Sequence, residues 1–375
     1  MRDLVSASII AISALVTSGG NARGDELVDA IDKAWRERGE KFKSGRVKWT
    51  VTTTFVAGGL NLEAMAIGGG STSKKVENGL QIPERDTVVK SAHAMTMIGS
   101  DMRYDFDTIK WSYDTLTYYK KPCKSFSTGN KTISYQPGGL GSGDARTGFH
   151  SNEKFLRHAL QADSMPVTVS CLPCTKYYDE YAIKRLGKIA PKQLINGMVE
   201  LQCTPSKNEK IRLLCDAQRG YALTVIEHIN GADKLLDSFQ IRYQDDPVLG
   251  SFPASWTSER HDIRGRLVFR LEAKVDSYEI NTPITLGDIE FDLERGTVVF
   301  GDGPSLYLVG DKGTKHQLSD SEMMLPYDEI VKIIEPKPSV WKRWTTYLLL
   351  AAIALLGLWV LVHKYRRVQT SGSST

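Results

Sequence analysis

Two stretches of this chain alternate apolar and polar side chains with a period of two residues. In residues 46–55 the apolar side chains include Val47, Trp49 and Val51, and residues 266–278 repeat the same alternation. Successive side chains of a strand point to opposite faces, so this pattern predicts strands with one buried and one solvated face. Such strands have to join a sheet that has a core on one side.

Further strands are predicted between and around these two, and short turn sequences separate them. Asn230-Gly231 is a strong signal for a tight hairpin turn, and Thr128-Gly129-Asn130-Lys131 marks another. Strands that follow one another through hairpins favour an antiparallel sheet over βαβ units. Residues 137–152 are rich in glycine and are expected to be a long loop. The other predicted strands are 88–106 with a turn at 99–101, 198–203, 211–215, 221–228, 235–243, a segment around Trp256, and the closing segment 289–300.

The first element of the chain is predicted to be an amphipathic helix over residues 25–43. Val28, Ile31 and Trp35 recur near helical spacing, with charged residues between them. The helix must bury this apolar stripe, and the concave face of a curled sheet is its natural partner.

Residues 344–362 form a stretch of nineteen residues without a charged side chain. As a helix this stretch would rise about 28 Å at 1.5 Å per residue, close to the hydrocarbon thickness of a bilayer. Trp341 and Tyr365 flank it, and amphipathic rings prefer the level of the lipid headgroups. The expected fold class is therefore α+β: a curled antiparallel sheet covered by helices, plus one C-terminal transmembrane helix.

Residues 1–22 are typical of a secretory signal peptide. Leu4 to Val16 form an apolar region too short to span a bilayer, and Gly20 with Ala22 fits a small-x-small cleavage site. An uncleaved anchor is the alternative. The expected organisation in a cell membrane is a signal peptide (1–22), an extracytoplasmic domain (23–302), an appendage with a juxtamembrane linker (303–343), a transmembrane helix (344–362) and a cytoplasmic tail (363–375).

The composition argues against nucleic acid as a partner. The chain has 375 residues and a net charge of +4, and no block of one sign dominates. A nucleic-acid-binding protein concentrates its basic residues on one face or along one helix.

Four of the five cysteines are candidates for disulfides, because an exported domain can keep them. These are Cys171, Cys174, Cys203 and Cys215, and the sequence leaves their pairing open. Cys171-Leu-Pro-Cys174 also has the spacing of a thiol-disulfide exchange motif, although no βαβ unit precedes it. A zinc site would need four ligands, and the histidines are dispersed, so neither a metal nor a cofactor is expected.

No catalytic constellation stands out in the sequence. The seven histidines are scattered, and none forms a helical histidine pair with a glutamate. We therefore expect a protein that is not an enzyme. An envelope hydrolase or a thiol oxidoreductase is the less favoured alternative.

The order of the predicted elements resembles the family of the bacterial outer-membrane lipoprotein carrier, which includes the periplasmic regulators of envelope-stress sigma factors. The resemblance covers about residues 23–300 and is one of order and pattern, without a sharp motif. The segments that carry it are 34–49, where the first helix runs into a strand, then 90–106, 127–131, 212–244 and 290–299.

This resemblance implies a half-open β-barrel without catalytic residues, whose apolar cavity takes acyl chains. The chain departs from the family through its predicted anchor and its cysteine-containing insertion. We expect a membrane-anchored binding or sensor domain for a lipid, a lipoprotein acyl chain or an envelope protein partner. A structural or interaction protein with a solid core is the alternative, in which the same side chains are plain core packing. The candidate cavity residues are Trp35, Trp49, Val51, Phe55, Met95, Met97, Tyr104 and Phe106.

Overall fold

The computed structural model describes most of the chain between residues 24 and 360. The described ranges are 24–58, 85–112, 117–128, 131–139, 142–151, 163–171, 188–206, 208–262, 264–301, 306–335 and 347–360.

A single curled, open sheet of sixteen strands dominates the described residues. Its strand order is β16-β15-β14-β6-β5-β4-β3-β2-β1-β13-β12-β11-β10-β9-β8-β7. Neighbouring strands are antiparallel except β14 and β6, which are parallel. The strands are β1 (Ser44–Phe55), β2 (Thr87–Ile98), β3 (Asp101–Ser112), β4 (Thr117–Thr128), β5 (Lys131–Gly139), β6 (Ser142–Ser151), β7 (Lys188–Gln193), β8 (Met198–Ser206), β9 (Glu209–Asp216), β10 (Ala222–Asn230), β11 (Leu235–Asp246), β12 (Gly250–His261), β13 (Leu267–Ile280), β14 (Thr297–Phe300), β15 (Leu306–Val309) and β16 (Lys315–Gln317).

The helices of the described residues are mostly short. They are α1 (Gly24–Lys41), α2 (Met165–Cys171), α3 (Leu286–Ile289), α4 (Asp320–Met323), α5 (Tyr327–Ile333) and α6 (347–360), with single 3₁₀ turns at Ile195–Gly197, Ala217–Arg219 and Asp311–Gly313.

The predicted amphipathic helix is confirmed as α1. Val28, Ile31 and Trp35 lie three and four residues apart, so they share one helix face, and all three are buried in the main core. The indole N–H of Trp35 donates a hydrogen bond of 2.7 Å to the carbonyl of Tyr221. The guanidinium of Arg38 donates to the carbonyl of Gly220 at 2.8 Å. These bonds hold α1 against the segment between β9 and β10.

The sheet carries separate apolar clusters on its two faces. The main core lies on the concave face, where β1 contributes Val47 and Trp49 from its alternating positions. On the opposite face, Phe126 packs with Ile289 of α3. Cross-strand register explains this division: Phe126 pairs with Arg103, whereas the inward-facing Tyr104 pairs with Ser125, the residue before Phe126.

The closing part of the sheet has a core of its own. Val298 of β14 and Leu308 of β15 pack with Leu318 and with Ile330 of α5. The hydroxyl of Tyr327 donates to the carbonyl of Gly296 at 2.9 Å and fixes α5 against the start of β14.

Several local predictions are confirmed. The alternating stretches 46–55 and 266–278 form β1 and β13, which pair with each other beside β2. The turn predicted at 99–101 separates β2 from β3, and the Thr128–Lys131 hairpin joins β4 to β5.

The predicted fold class is wrong. A half barrel covered by helices plus a transmembrane helix was expected, whereas a large open sheet forms most of the described structure, and its helices cover only parts of it. In the described part of the chain no helix is long and apolar enough to cross a membrane. Helix α6 rises only about 20 Å at 1.5 Å per residue. Residues 344–346 and 361–362 of the predicted span, and the predicted signal peptide and tail, lie outside the described residues.

The loop predicted for residues 137–152 is also wrong, because β6 occupies residues 142–151 of it. Small and polar residues dominate β6, so the strand has no apolar alternation. Its pairing with β5 on one side and β14 on the other makes it a strand.

We expect Gly45→Ala to destabilise the fold. A Cβ at this position would lie 2.9 Å from the carbonyl oxygen of Glu279 and 2.8 Å from a ring carbon of Phe42. Overpacking of this kind costs about 1–3 kcal/mol, which urea unfolding can measure. The exposed Lys48 of the same strand serves as control, since Lys48→Ala should change the free energy of unfolding by less than about 0.5 kcal/mol. Equal stabilities for the two variants would contradict the prediction.

Candidate ligand-binding cavity

A cavity of about 700 Å³ opens on the concave face of the sheet. One wall comes from β1, β2 and β3, and the facing wall comes from β9 to β13, while the residues that begin α2 close it on a third side. Most of the lining is apolar: Val51, Phe55, Phe106, Ile109, Met165, Ile211, Ile226, Phe239, Phe269 and Leu271. The polar lining residues are Thr53, Ser91, Asp107, Thr108, Asp163, His228, Asp237 and Arg260.

Strand register arranges much of this lining in rows across the sheet. The rim row runs from Phe55 through Phe269, Arg260 and Asp237 to His228, each residue paired with the next on the neighbouring strand. A second row of side chains lies two residues along each strand from the rim row. Side chains two residues apart in a strand point to the same face, so this second row also lies on the concave face.

The second row is largely apolar. It runs from Thr53 through Leu271, Ser258 and Phe239 to Ile226, again by direct cross-strand pairing. The cavity therefore has a charged segment at its rim and an apolar wall beneath it.

The charged segment of the rim is internally paired. Arg260 Nε lies 2.9 Å from Asp237 Oδ1, and His228 Nδ1 lies 3.7 Å from Asp237 Oδ2. The Arg260 guanidinium also lies over the Phe269 ring, 5.9 Å from its centre. The Arg260 side chain is 58% exposed, so solvent screens the ion pair and its contribution to stability is small.

An aromatic stack forms the floor beside the β2 and β3 wall. The ring of Trp49 stacks on His93 at 5.5 Å and on Tyr104 at 5.8 Å, and Tyr104 stacks on Phe106 at 4.5 Å. The indole N–H of Trp49 donates to the carbonyl of Asp163 at 2.7 Å. This bond attaches the start of α2 to the central strand.

A chain of polar groups crosses this floor. The hydroxyl of Ser91 lies 2.8 Å from His93 Nε2, and His93 Nδ1 lies 2.8 Å from the hydroxyl of Tyr104. Asp163 Oδ2 is 3.8 Å from the same Nδ1, and the hydroxyl of Ser164 donates to Asp163 Oδ1 at 3.4 Å. Ser91 and Asp163 both line the cavity, so this row of polar side chains faces the cavity at both of its ends.

Burial determines the protonation of these groups. Desolvation lowers the pKa of His93 to about 4, against an opposing effect of Asp107, so the imidazole is neutral at pH 7. Desolvation raises the pKa of Asp163 to about 6, and burial raises the pKa of Tyr104 well above its usual range. A serine next to a histidine has the residue types of a nucleophile and its base, but an imidazole with so low a pKa is a weak base.

The predicted cavity residues lie at three depths. Val51, Phe55 and Phe106 line the cavity. Trp49 and Tyr104 form the floor, and the remaining candidates, Met95, Met97 and Trp35, are buried in the main core, Trp35 on α1. Their role in binding stays a prediction.

The residues of the facing wall and of the polar floor were not predicted from the sequence. Ile226 and Phe239 belong to strands that were predicted, but no sequence pattern showed that these strands curl round to face β1. Ser91 and His93 sit at alternating positions of β2, which is a signal for shared inward orientation. Asp163 follows no periodic pattern.

The disulfide prediction is wrong for two of its four cysteines. Cys203 and Cys215 are free, buried thiols. Burial raises the pKa of Cys203 to about 11 and that of Cys215 to about 12, which keeps both protonated and unreactive. The Cys171 side chain and Cys174 lie outside the described residues. Within the described ranges, no group of His, Cys, Asp and Glu residues could hold a metal ion.

Comparisons with known proteins give only remote similarity. No family model matches the sequence, and no curated protein matches it either. Among solved structures, the chain is similar to a DUF1329 family protein from Desulfovibrio piger, with 8% identity, a TM-score of 0.33, and coverage of 70% of this chain and 97% of that one. It is also similar to a LolA superfamily protein from Nitrosomonas europaea, with 10% identity, a TM-score of 0.35, and coverage of 69% and 97%. Scores this low carry no conclusion about function.

We expect His93 and Asp163 to change stability with pH in opposite directions. The folded pKa of His93 lies below its unfolded value of 6.5, so its contribution is complete above pH 6.5 and is lost as the pH falls towards 4. The folded pKa of Asp163 lies above its unfolded value of 3.8, so protonation stabilises the fold as the pH falls from 6 towards 3.8.

Two variants separate these contributions in urea unfolding at pH 7 and pH 4.5. When the pH falls from 7 to 4.5, the free energy of unfolding of His93→Gln should rise by about 2 kcal/mol relative to that of the parent chain. The free energy of unfolding of Asp163→Asn should fall by about 2 kcal/mol relative to the parent chain over the same change. Parallel changes in the parent and both variants would show that neither group titrates with the expected shift.

Proposed function

We propose that the concave cavity binds an apolar or amphiphilic ligand, such as a lipid or the acyl chain of a lipoprotein, without chemical change. The observation that carries this proposal is the cavity itself: about 700 Å³, lined mainly by apolar side chains, between two facing walls of one sheet. Ligand pockets of proteins fall in the range of about 300–1,000 Å³ and are predominantly apolar.

Burial of apolar ligand surface would drive the association. Each square ångström removed from water contributes about 25 cal/mol, before the cost of ordering the ligand is subtracted. Phe106 lines the cavity and is held by its stacking on Tyr104, so it offers a rigid apolar surface, and Met165 offers an adaptable side chain at the start of α2. A site of this kind favours apolar chains over a sharply defined shape.

A location outside the cytoplasm stays part of the proposal. It is supported by the sequence alone, through the apolar segment Leu4 to Val16 and the small residues that follow it. An envelope protein partner is proposed on the same basis.

We expect the full chain to bind the neutral fluorescent probe N-phenyl-1-naphthylamine saturably. Filling the cavity from both walls with Ile109→Trp and Ile226→Trp should weaken this binding about tenfold, because the added rings occupy the space of the ligand. Val88, which is 60% exposed, gives a matched control. Val88→Trp should leave the affinity within about twofold, since it lies away from the cavity lining.

Fluorescence titration measures both variants, and far-ultraviolet circular dichroism verifies that they are folded. A parent chain without saturable binding would contradict the proposal and favour a structural or interaction protein. Equal affinities for the filled variant and the control would place the probe elsewhere and also contradict it.

A further inference from the structure

Three carboxylates line the cavity, and two of them have a cationic partner. Asp107 lies 3.5 Å from the Lys120 ammonium, and Asp237 lies 2.9 Å from Arg260. Asp163 differs, because no lysine or arginine among the described residues lies within ion-pair distance of it. Its side chain is only 20% exposed.

The basic group nearest to Asp163 in the described structure is the imidazole of His93, 3.8 Å away. This imidazole does not supply a positive charge. Both of its nitrogens are engaged, Nε2 with Ser91 and Nδ1 with Tyr104, and burial lowers its pKa to about 4. The hydroxyl of Ser164 gives Asp163 one hydrogen bond of 3.4 Å. The backbone N–H of Asp163 gives a second hydrogen bond, so within the described residues the carboxylate has hydrogen-bond donors but no cation.

A largely buried carboxylate without a cationic partner costs free energy, and such groups are commonly paired or mark a functional site. The Asp163 carboxylate lines the cavity next to the apolar wall, where a bound ligand could reach it. The hydroxyl of Ser91 faces the same cavity and offers a second oxygen. Two oxygens beside an apolar surface match a positively charged hydrogen-bond donor that is attached to an apolar chain.

We propose that the ligand of this cavity is an amphiphile with a protonated amine, and that the ammonium pairs with the Asp163 carboxylate while the chain lies along the apolar wall. This inference rests on the proposed function. It disfavours fatty acids and other simple anionic amphiphiles, because the lining carries three carboxylates and one guanidinium, and that guanidinium is held by Asp237.

The test compares three ligands of equal chain length on the full chain at pH 7.5. Dodecylamine, 1-dodecanol and dodecanoate, below their micellar concentrations, compete with N-phenyl-1-naphthylamine. We expect dodecylamine to bind about tenfold more tightly than dodecanol, and dodecanoate to bind most weakly, because a charge-assisted hydrogen bond forms only with the amine.

Asp163→Asn removes the charge and keeps the shape of the side chain. We expect this variant to bind dodecylamine and dodecanol within about twofold of each other. Asp276, which accepts a hydrogen bond from Thr50 on the convex face, gives the matched control. Asp276→Asn should keep the full preference for the amine.

The outcomes separate the two proposals. If the probe binds but amine and alcohol compete equally, or if Asp163→Asn keeps the preference, the amine inference is overturned while the apolar cavity stands. If the probe does not bind the parent chain, both proposals fail. A lysolipid that ends in ethanolamine and a lipopeptide with a free terminal amine, each beside its N-acetylated form, then distinguish a lipid from a lipid-modified protein as the source of the amine.

Discussion

One tryptophan connects the sheet to the segment that closes the cavity. Trp49 sits on the central strand β1, stacks on His93 and Tyr104, and donates its indole N–H to the Asp163 carbonyl. The bond fixes the backbone on which the Asp163 side chain stands. The stacked floor and the placement of Asp163 beside it therefore both depend on the position of this indole.

Much of the sheet could be predicted from the sequence, because its central strands alternate. Val47 and Trp49 showed which face of β1 is buried, and the same pattern located β13. The strand β6 could not be predicted in this way. Gly148 lies in it so closely packed that a Cβ would come within 3.2 Å of Thr297, a residue of β14 far along the chain. Pairing between distant segments leaves no periodicity in either of them.

The cavity, too, could be predicted only in part, because it also depends on contacts between distant segments. The alternation of β1 and β3 identified Val51, Phe55 and Phe106, which line one wall. Ile226 and Phe239 face them only because the sheet curls, and curvature is a property of the assembled strands. Asp163 lies outside the strands, so no periodic pattern predicted its role. Its distinguishing feature is structural: among the described residues, its nearest basic group is the His93 imidazole at 3.8 Å.

The described helices pack against limited parts of the concave face. Helix α1 lies against the segment between β9 and β10, and α2 packs near β12. Among the described helices, α2 reaches the rows that run from Phe55 to His228 and from Thr53 to Ile226 at its first residue, Met165, which lines the same cavity. A small closed barrel of about eight strands would fill such a region with side chains from its own strands. In the described residues the sheet is open, and the cavity of about 700 Å³ lies on its concave face between the two walls.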